Sequence, residues 1–153
     1  MNLLKLQSKF EAYPFGRLLF SKMVARSAPY FTSINPFINE LRQNYIKVSM
    51  KKRRAVHNHI KTVHAIAACN LCEFAAGICM EASIPKNRRW IPIGMEVKYL
   101  KKAKTDLTAS CDLSKIDWNN CEEVNCDVAV LDLAGEVVVH AIIRMKVSDR
   151  KKI

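Results

Sequence analysis

Glu73 is the side chain whose sequence surroundings most favour chemistry. It is the only charged residue between Ala65 and Met80, in a run of alanines, aliphatics and cysteines. A carboxylate in such a setting can activate water as a general base or attack directly as a nucleophile. It can also be a structural group that accepts hydrogen bonds from backbone N–H groups, and the sequence leaves both interpretations open.

Two further polar side chains precede Glu73. The segment 53–63 has no regular period and contains Asn58 between two histidines, and His64 follows it directly. Functional groups concentrate on loops that a rigid scaffold positions, so we predict a loop that delivers Asn58 and His64 to a site. A metal site on the histidines is the alternative. No carboxylate or cysteine completes it at ligand spacing, so we predict no metal ligand.

A helix from about Ala65 to Ala82 must carry Glu73. Its residues are apolar on nearly every side, which predicts a helix buried all round. The alanines and Gly77 permit close approach by a sheet. An amphipathic pattern predicts a second helix near the N-terminus, from about Phe10 to Ala28, that ends before Pro29.

Alternation of apolar and polar residues predicts five strands. The first contains Ile46, Val48 and Met50 and precedes the loop. Four more follow the central helix, with apolar positions at Ile93, Met95, Val97 and Tyr99; Leu107, Ala109, Cys111 and Leu113; Val124, Cys126, Val128 and Val130; and Val137, Val139, Ala141, Ile143 and Met145. Short links predict that neighbouring strands pair antiparallel as a meander.

These elements together predict one α+β domain spanning 1–153. A curved antiparallel sheet wrapped around the central buried helix covers the apolar surfaces of both, with the extra N-terminal helix outside them. The chain has 153 residues and is 50% hydrophobic, enough for a core without disulfides. No apolar run reaches the roughly 20 uninterrupted residues of a membrane span.

Cysteine usage and charge bear on location and partners. Cys69, Cys72 and Cys79 lie among aliphatic residues, which predicts a reduced, cytoplasmic protein; a mitochondrial presequence within residues 1–30 is the alternative. The net charge of +11 favours polyanions, with clusters at 51–54, 88–89, 101–104 and 150–152. Aromatic residues do not interleave with these clusters, which argues against single-stranded nucleic acid.

The segment from Asn58 to Ala65, with Glu73 nine positions after His64, resembles a known motif. It is similar to the phenylacetyl-CoA thioesterase-like branch of the hotdog-fold superfamily, whose pattern is Asn, Gly, His-Gly-Gly and Asp. The chain looks closer still to a poorly characterised hotdog subgroup related to it. Three positions depart from the pattern, because Lys61 replaces the first glycine, Ala65-Ile66 the glycine pair and Glu73 the aspartate.

The resemblance implies a hotdog core over about 37–148 and an acyl-CoA thioesterase with catalytic residues Glu73, Asn58 and His64. In that reading Asn58 holds the water or carbonyl, and His64 orders the loop or bonds the thioester. Thioester hydrolysis develops negative charge on oxygen, which the free N–H groups of Ala65 and Ile66 at a helix start could stabilise. Nine helical residues separate His64 from Glu73 by about 13 Å, so two antiparallel chains must share a site.

Coenzyme A would enter as part of the substrate, with no other cofactor expected. Candidate partners for its phosphates, which flank the predicted strand ends, are Arg88, Arg89, Lys98, Lys101 and Lys102. The predicted assembly is a homodimer, with a dimer of dimers, a homotetramer, as an extension. The main alternative function is a non-catalytic protein that binds acyl-CoA or fatty acyl groups. A hotdog dehydratase and a partner of nucleic acid or membrane surfaces are further alternatives.

Overall fold

A computed structural model describes residues 2–150. Lys151 and Lys152, part of the last predicted basic cluster, lie outside this range. In chain order the elements are α1 (Leu3–Glu11), α2 (Gly16–Ser27), β1 (Phe37–Arg42), β2 (Tyr45–Met50), α3 (Ala65–Ser83), β3 (Arg88–Tyr99), β4 (Leu107–Asp112), β5 (Glu123–Leu131) and β6 (Val137–Asp149), with short 3-10 helices at Pro29–Ile34 and Arg54–Val56.

The strands form one antiparallel sheet in the order β1-β2-β4-β5-β6-β3. The sheet wraps around α3, which packs against β2, β4, β5 and β6. The alternation that predicted β4, β5 and β6 is confirmed, since their apolar positions Ala109, Val128 and Ala141 are fully buried against the helix. The predicted α+β architecture of a curved sheet around a central helix is therefore confirmed.

The predicted meander is wrong for β3. This strand pairs with β6, three places away from β4, although it precedes β4 in the chain. Neighbouring strands lie about 4.8 Å apart, so the link from β3 to β4 must cross three spacings, or about 14 Å. The seven residues 100–106 can reach over 20 Å when extended, which allows them to cross the end of the sheet.

The first strand of the sheet is β1, which the sequence prediction missed. Ile38 and Leu41 are its buried residues, three positions apart, because the register with β2 shifts between Ile38 and Glu40. One extra residue in a strand breaks the period of two. Gln43 and Asn44 then turn the chain tightly into β2, with Asn44 in the left-handed conformation at φ 64°.

Two N-terminal helices replace the single helix predicted for 10–28. The break at 12–15 contains Pro14, which cannot donate to a helical hydrogen bond, and Phe15 at φ 61°. Helix α2 starts so close to α1 that a Cβ on Gly16 would lie 1.7 Å from the Phe10 carbonyl oxygen. Glycine is therefore needed at this corner. Helix α2 then packs against β1.

Helix α3 has one partly open face, so the prediction of burial all round is wrong. Its sheet-facing residues, such as Leu71, Ala75 and Cys79, are fully buried, whereas Glu73 and Ile78 are half-buried. By length and composition α3 could also cross a membrane. Here the sheet and the N-terminal segments enclose it as the core helix, with 56% of the span buried.

The two edges of the sheet differ. Helix α2 lies against β1, whereas β3 pairs with β6 on one side and with no other strand of residues 2–150 on the other. Its apolar side chains are open to solvent, with Ile91 60% exposed and Ile93 49% exposed. An apolar free edge of this length is a surface suited to pairing with another chain.

Candidate active site

Asn58 holds its own loop together. Its Oδ1 accepts hydrogen bonds from the backbone N–H groups of Ile60 at 3.1 Å and Thr62 at 3.0 Å, and its Nδ2 donates to Thr62 Oγ1 at 2.8 Å. Lys61 adopts a φ of 61° within this turn. The left-handed conformation favours glycine, which explains why the related motif has glycine here. Lys61 keeps that backbone shape at a cost of about 1–2 kcal/mol.

His64 is the N-cap of α3. Its ring Nδ1 accepts a hydrogen bond from the backbone N–H of Ile66 at 3.0 Å. The backbone N–H of His64 donates to the Val56 carbonyl at 2.8 Å. The Ile66 N–H, predicted as an oxyanion donor, is therefore occupied by His64. The Ala65 N–H makes no hydrogen bond with residues 2–150 and remains the available donor of the predicted pair. His64 thus orders the start of the helix, one of its two predicted roles.

Glu73 lies on the partly open face of α3. No hydrogen bond or ion pair within the described part of the chain engages its carboxylate. It lines a groove of about 460 Å³ between α3 and the segment that runs from α2 into the first 3-10 helix. We call this the apolar groove, because most of its wall is aliphatic or aromatic, with Phe31 and Phe74 in edge contact at 5.1 Å between ring centroids.

A second groove, of about 470 Å³, lies beside the start of α3. Asn58, Ala65, Tyr99, Lys101 and Lys102 line it, so the structure brings two predicted site residues and two predicted phosphate partners together. We call it the basic groove. Lys101 Nζ is 2.7 Å from Glu136 Oε2, whereas Lys102 is exposed and forms no ion pair within residues 2–150.

The other predicted phosphate partners lie elsewhere. Arg88 is turned inward, where it donates to the Trp118 carbonyl at 2.8 Å and lies 3.6 Å from Asp149. Arg89 donates to Ser148 Oγ, and Lys98 is 3.9 Å from Glu96. Arg88 and Arg89 stand at the opposite end of β3 from the basic groove, about 36 Å away along an extended strand of this length. One chain cannot gather all five around one ligand.

Tyr99 borders the basic groove and contacts α3 directly. Its hydroxyl is 2.9 Å from Cys69 Sγ. The pKa of Tyr99 is raised to about 12, mainly by this hydrogen bond and to a lesser extent by partial burial. Burial raises the pKa of the neighbouring Cys72 thiol to about 12 as well, so this thiol is protonated at neutral pH. Burial therefore disfavours the reactive thiolate form of Cys72.

The site residues divide into two groups on each chain. Asn58, Ala65 and the basic groove lie at the start of α3, and Glu73 lies about 12 Å further along the helix. Among residues 2–150, no three His, Cys, Asp or Glu side chains are grouped to hold a metal ion. One chain therefore presents two separate groups, one with the Ala65 N–H and positive charge, the other with a carboxylate that no group of residues 2–150 engages.

Sequence reasoning missed Tyr99 and the walls of the apolar groove. Tyr99 was assigned only as an apolar strand position, although a tyrosine at a strand end beside a basic cluster is a recognisable polar group. Phe31 lies 42 positions before Glu73 in the sequence and Trp90 lies 17 positions after it, yet tertiary packing places all three around the same groove. Local spacing gives no signal for such contacts.

Comparison with known proteins identifies the family of this chain. The family model described as a domain of unknown function, DUF4442, matches residues 16–147. A crystal structure of a genomics target is 44% identical with a TM-score of 0.85, and the alignment covers 97% of this chain and 98% of that one. No functionally curated protein matches the sequence.

Two more distant solved structures carry functional descriptions. A Pseudomonas aeruginosa protein described as a probable thioesterase is 17% identical, with a TM-score of 0.75 over 90% of this chain and 97% of that one. A thioesterase family protein from Silicibacter pomeroyi is 11% identical, with a TM-score of 0.73 over 90% of this chain and 100% of that one. At these identities they establish the fold alone, and the predicted hotdog fold is confirmed.

Proposed function

Because this chain belongs to the DUF4442 family and has the hotdog fold, we propose that it is an acyl-CoA thioesterase in which Glu73 activates water at a dimer interface. The observation that carries the proposal is the state of Glu73. Its carboxylate is half-buried on the core helix, borders an apolar groove and is engaged by no other group of residues 2–150. A carboxylate that borders an apolar groove and has no protein partner is available to accept a proton from water beside a bound ligand.

The reaction needs a base, an acid and a site for negative charge. The Glu73 carboxylate accepts a proton from water, and the resulting hydroxide attacks the thioester carbonyl carbon. The Ala65 N–H and the positive end of the α3 dipole stabilise the oxyanion of the tetrahedral intermediate. The intermediate collapses by breaking the carbon–sulfur bond, and protonated Glu73 returns its proton to the leaving thiolate. The products are a carboxylic acid and coenzyme A.

A dimer supplies the geometry that one chain lacks. The carbonyl must meet Glu73 and the Ala65 N–H together, and these are separated by about 12 Å along one helix. A two-fold axis that pairs the free edges of β3 runs the two α3 helices antiparallel, so that Glu73 approaches Ala65 of the second copy. The exposed Ile91 and Ile93 on that edge support such pairing.

The basic groove is the proposed entry for coenzyme A. Lys102 carries a positive charge without an ion-pair partner in the described residues, and Asn58 and Ala65 line the same groove. Ammonium groups bind phosphate by charge-assisted hydrogen bonds. The thioester end would then meet the start of α3, where the N–H donor lies.

Release of free thiol from acetyl-CoA, decanoyl-CoA and phenylacetyl-CoA tests the proposal. Glu73→Gln keeps the size of the side chain and removes the base, so turnover should fall by about 10²–10⁴-fold. Glu123→Gln, a change at an exposed position at the start of β5, is the matched control and should retain full turnover. Equal activity of wild type and Glu73→Gln would show that Glu73 is not the base.

A non-catalytic acyl-CoA binding protein is the second candidate, and one observation favours it. The Asn58 amide and the Ile66 N–H, which the related motif would offer to the substrate, are both engaged by their own loop. Binding of acyl-CoA by the wild type without release of thiol from any of the three esters would establish this function and exclude hydrolysis.

A further inference from the structure

The apolar groove has features of a binding site for a chain of methylene groups. Val24, Ala28 and Phe31 form one wall, and Phe74, Gly77 and Ile78 of α3 form the other. Its volume of about 460 Å³ lies within the range of about 300–1,000 Å³ that small-molecule sites occupy. The first wall comes from the N-terminal segments, outside the sheet and its core helix.

Each polar side chain that lines this groove forms a hydrogen bond, with one exception. Glu81 accepts a hydrogen bond from Trp90 Nε1–H at 3.1 Å, and Ser27 Oγ–H donates to the Val24 carbonyl at 2.7 Å. Glu73 is the one polar lining side chain that no hydrogen bond or ion pair of residues 2–150 engages. An occupant that is apolar along its length and polar at one end would therefore place its polar group at Glu73.

The length of the groove sets the size of the occupant. It follows α3 from Glu73 to Glu81, eight residues or about 12 Å. A residue of an extended polypeptide has three backbone bonds and spans at most about 3.6 Å, or about 1.2 Å per bond. An extended alkyl chain has a similar advance per bond, so about ten carbons fit in about 12 Å. Trp90 forms a wall beside the second half of this length, because its ring lies so near Gly77 that a Cβ there would be 3.1 Å from it and its Nε1–H reaches Glu81.

We propose that the apolar groove binds the unbranched alkyl chain of an acyl thioester of about eight to twelve carbons, with its carbonyl at Glu73. The inference rests on the proposed function and adds the substrate class to it. A peptide is a poorer fit, because its backbone would need hydrogen-bond partners that this wall of satisfied helices does not offer. A second copy of the chain is the alternative occupant, and the effect of dilution on probe binding distinguishes it from an alkyl chain.

Displacement of the primary amide of the fluorescent cis-parinaric acid from the full-length protein measures binding without hydrolysis. Primary amides of saturated fatty acids from six to sixteen carbons serve as competitors, because they place no negative charge beside the Glu73 carboxylate. Affinity should rise about fourfold per methylene, from about 0.8 kcal/mol for each buried CH₂, and level off near ten to twelve carbons. Affinity that is independent of chain length, or no binding of the probe, would overturn the proposal.

Ala28→Trp fills the rim of the groove from an exposed position and should weaken decanamide binding at least tenfold. Ala134→Trp, in the exposed turn between β5 and β6, is the matched control and should bind as wild type does. Ser27→Phe offers a second obstruction from the same rim if Ala28→Trp does not fold by circular dichroism. Unchanged decanamide binding in a folded rim variant would refute binding of the alkyl chain in the apolar groove.

Thiol-release assays on the same proteins separate this proposal from the proposed function. Chain-length-dependent binding without release of thiol would support the groove and exclude the thioesterase. The ratio of the hydrolysis rates of decanoyl-CoA and acetyl-CoA should fall in Ala28→Trp. If both esters are hydrolysed and Ala28→Trp leaves this ratio unchanged, the result would support the thioesterase and exclude binding of the acyl chain in the apolar groove. Probe binding that increases on dilution, as dimers dissociate, would show that a second copy occupies the groove and would also exclude the proposal.

Discussion

At the scale of single residues, one substitution can separate the structural role of Asn58 from its proposed role toward the substrate. Asn58→Ala removes the acceptor of two backbone N–H groups, one on the buried Thr62, and should lower the free energy of unfolding by about 1–3 kcal/mol. Asn58→Asp keeps the acceptor and should remain near wild-type stability. If the amide also holds the substrate, Asn58→Asp should lose turnover while it stays folded. Urea unfolding and thiol release measure the two effects, and full activity of a stable Asn58→Asp would leave Asn58 a purely structural residue.

Tyr99 provides a pH-dependent signal within the basic groove. Because its pKa is raised to about 12, the stabilisation from its neutral hydroxyl is fully present below about pH 10 and lost as the pH rises through about 12. Cys69→Ala removes the largest cause and should return the titration of Tyr99 toward 10. Ultraviolet absorbance of tyrosinate measures this, with Tyr99→Phe identifying its contribution. An unaltered titration in Cys69→Ala would mean that the thiol does not bond the hydroxyl.

At the scale of elements, one serine joins α2 to the sheet. Ser21 is fully buried; its Oγ accepts a hydrogen bond from the Ile38 N–H at 2.9 Å and donates to the Arg17 carbonyl at 2.8 Å. Ser21→Ala leaves the Ile38 N–H buried and unpaired, which should cost about 1–3 kcal/mol. Ser8→Ala, on the exposed α1, should change the unfolding free energy by less than about 0.5 kcal/mol. Equal stability of the two variants would show that the α2 contact is not held by Ser21.

The elements differ in how well their sequences predicted them. Strands β4 to β6 each have one face on α3, so their apolar residues alternate and their existence could be predicted. Strand β1 could not be found this way, because the bulge between Ile38 and Glu40 moves its buried residues out of that period. The break between α1 and α2 had a usable signal in Pro14, which a continuous helix does not accommodate at that position.

The order of the strands required information that no local pattern contains. Strand β3 has an alternating sequence like its neighbours, but most of its side chains are exposed because it stands at the sheet edge. The candidate site shows the same limit. The sequence identified Asn58, His64 and Glu73 by type and spacing, whereas the grooves beside them arise where the 3-10 helix and the 100–106 link meet α3.

At the scale of the whole molecule, a shared site makes a prediction that a single-chain site does not. Under the proposed function, Glu73→Gln and Asn58→Asp would each inactivate one half of every site. When the two variants are mixed and allowed to exchange, half of the dimers are mixed and each has one intact site, so about a quarter of wild-type turnover should return. Thiol release against time after mixing measures the recovery.

Controls for this experiment use the free edge of β3. Ile91→Lys in both proteins places a charge on the proposed pairing surface and should prevent both dimer formation, measured by analytical ultracentrifugation, and recovery. Leu133→Lys, at a position 73% exposed in the turn after β5, should affect neither. No recovery from proteins that remain dimeric would place the whole site within one chain.

The turn at Lys61 has a consequence for how related proteins are detected. Where the similar motif has glycine, this chain has lysine at a φ of 61°, held by the Asn58 hydrogen bonds around it. The turn here adopts the left-handed dihedral angle without glycine, the residue type that most readily adopts it. A search that requires the glycine letter would pass over this sequence. One that allows any residue with an asparagine three positions earlier would retain it and would collect homologues in which the same loop survives unrecognised.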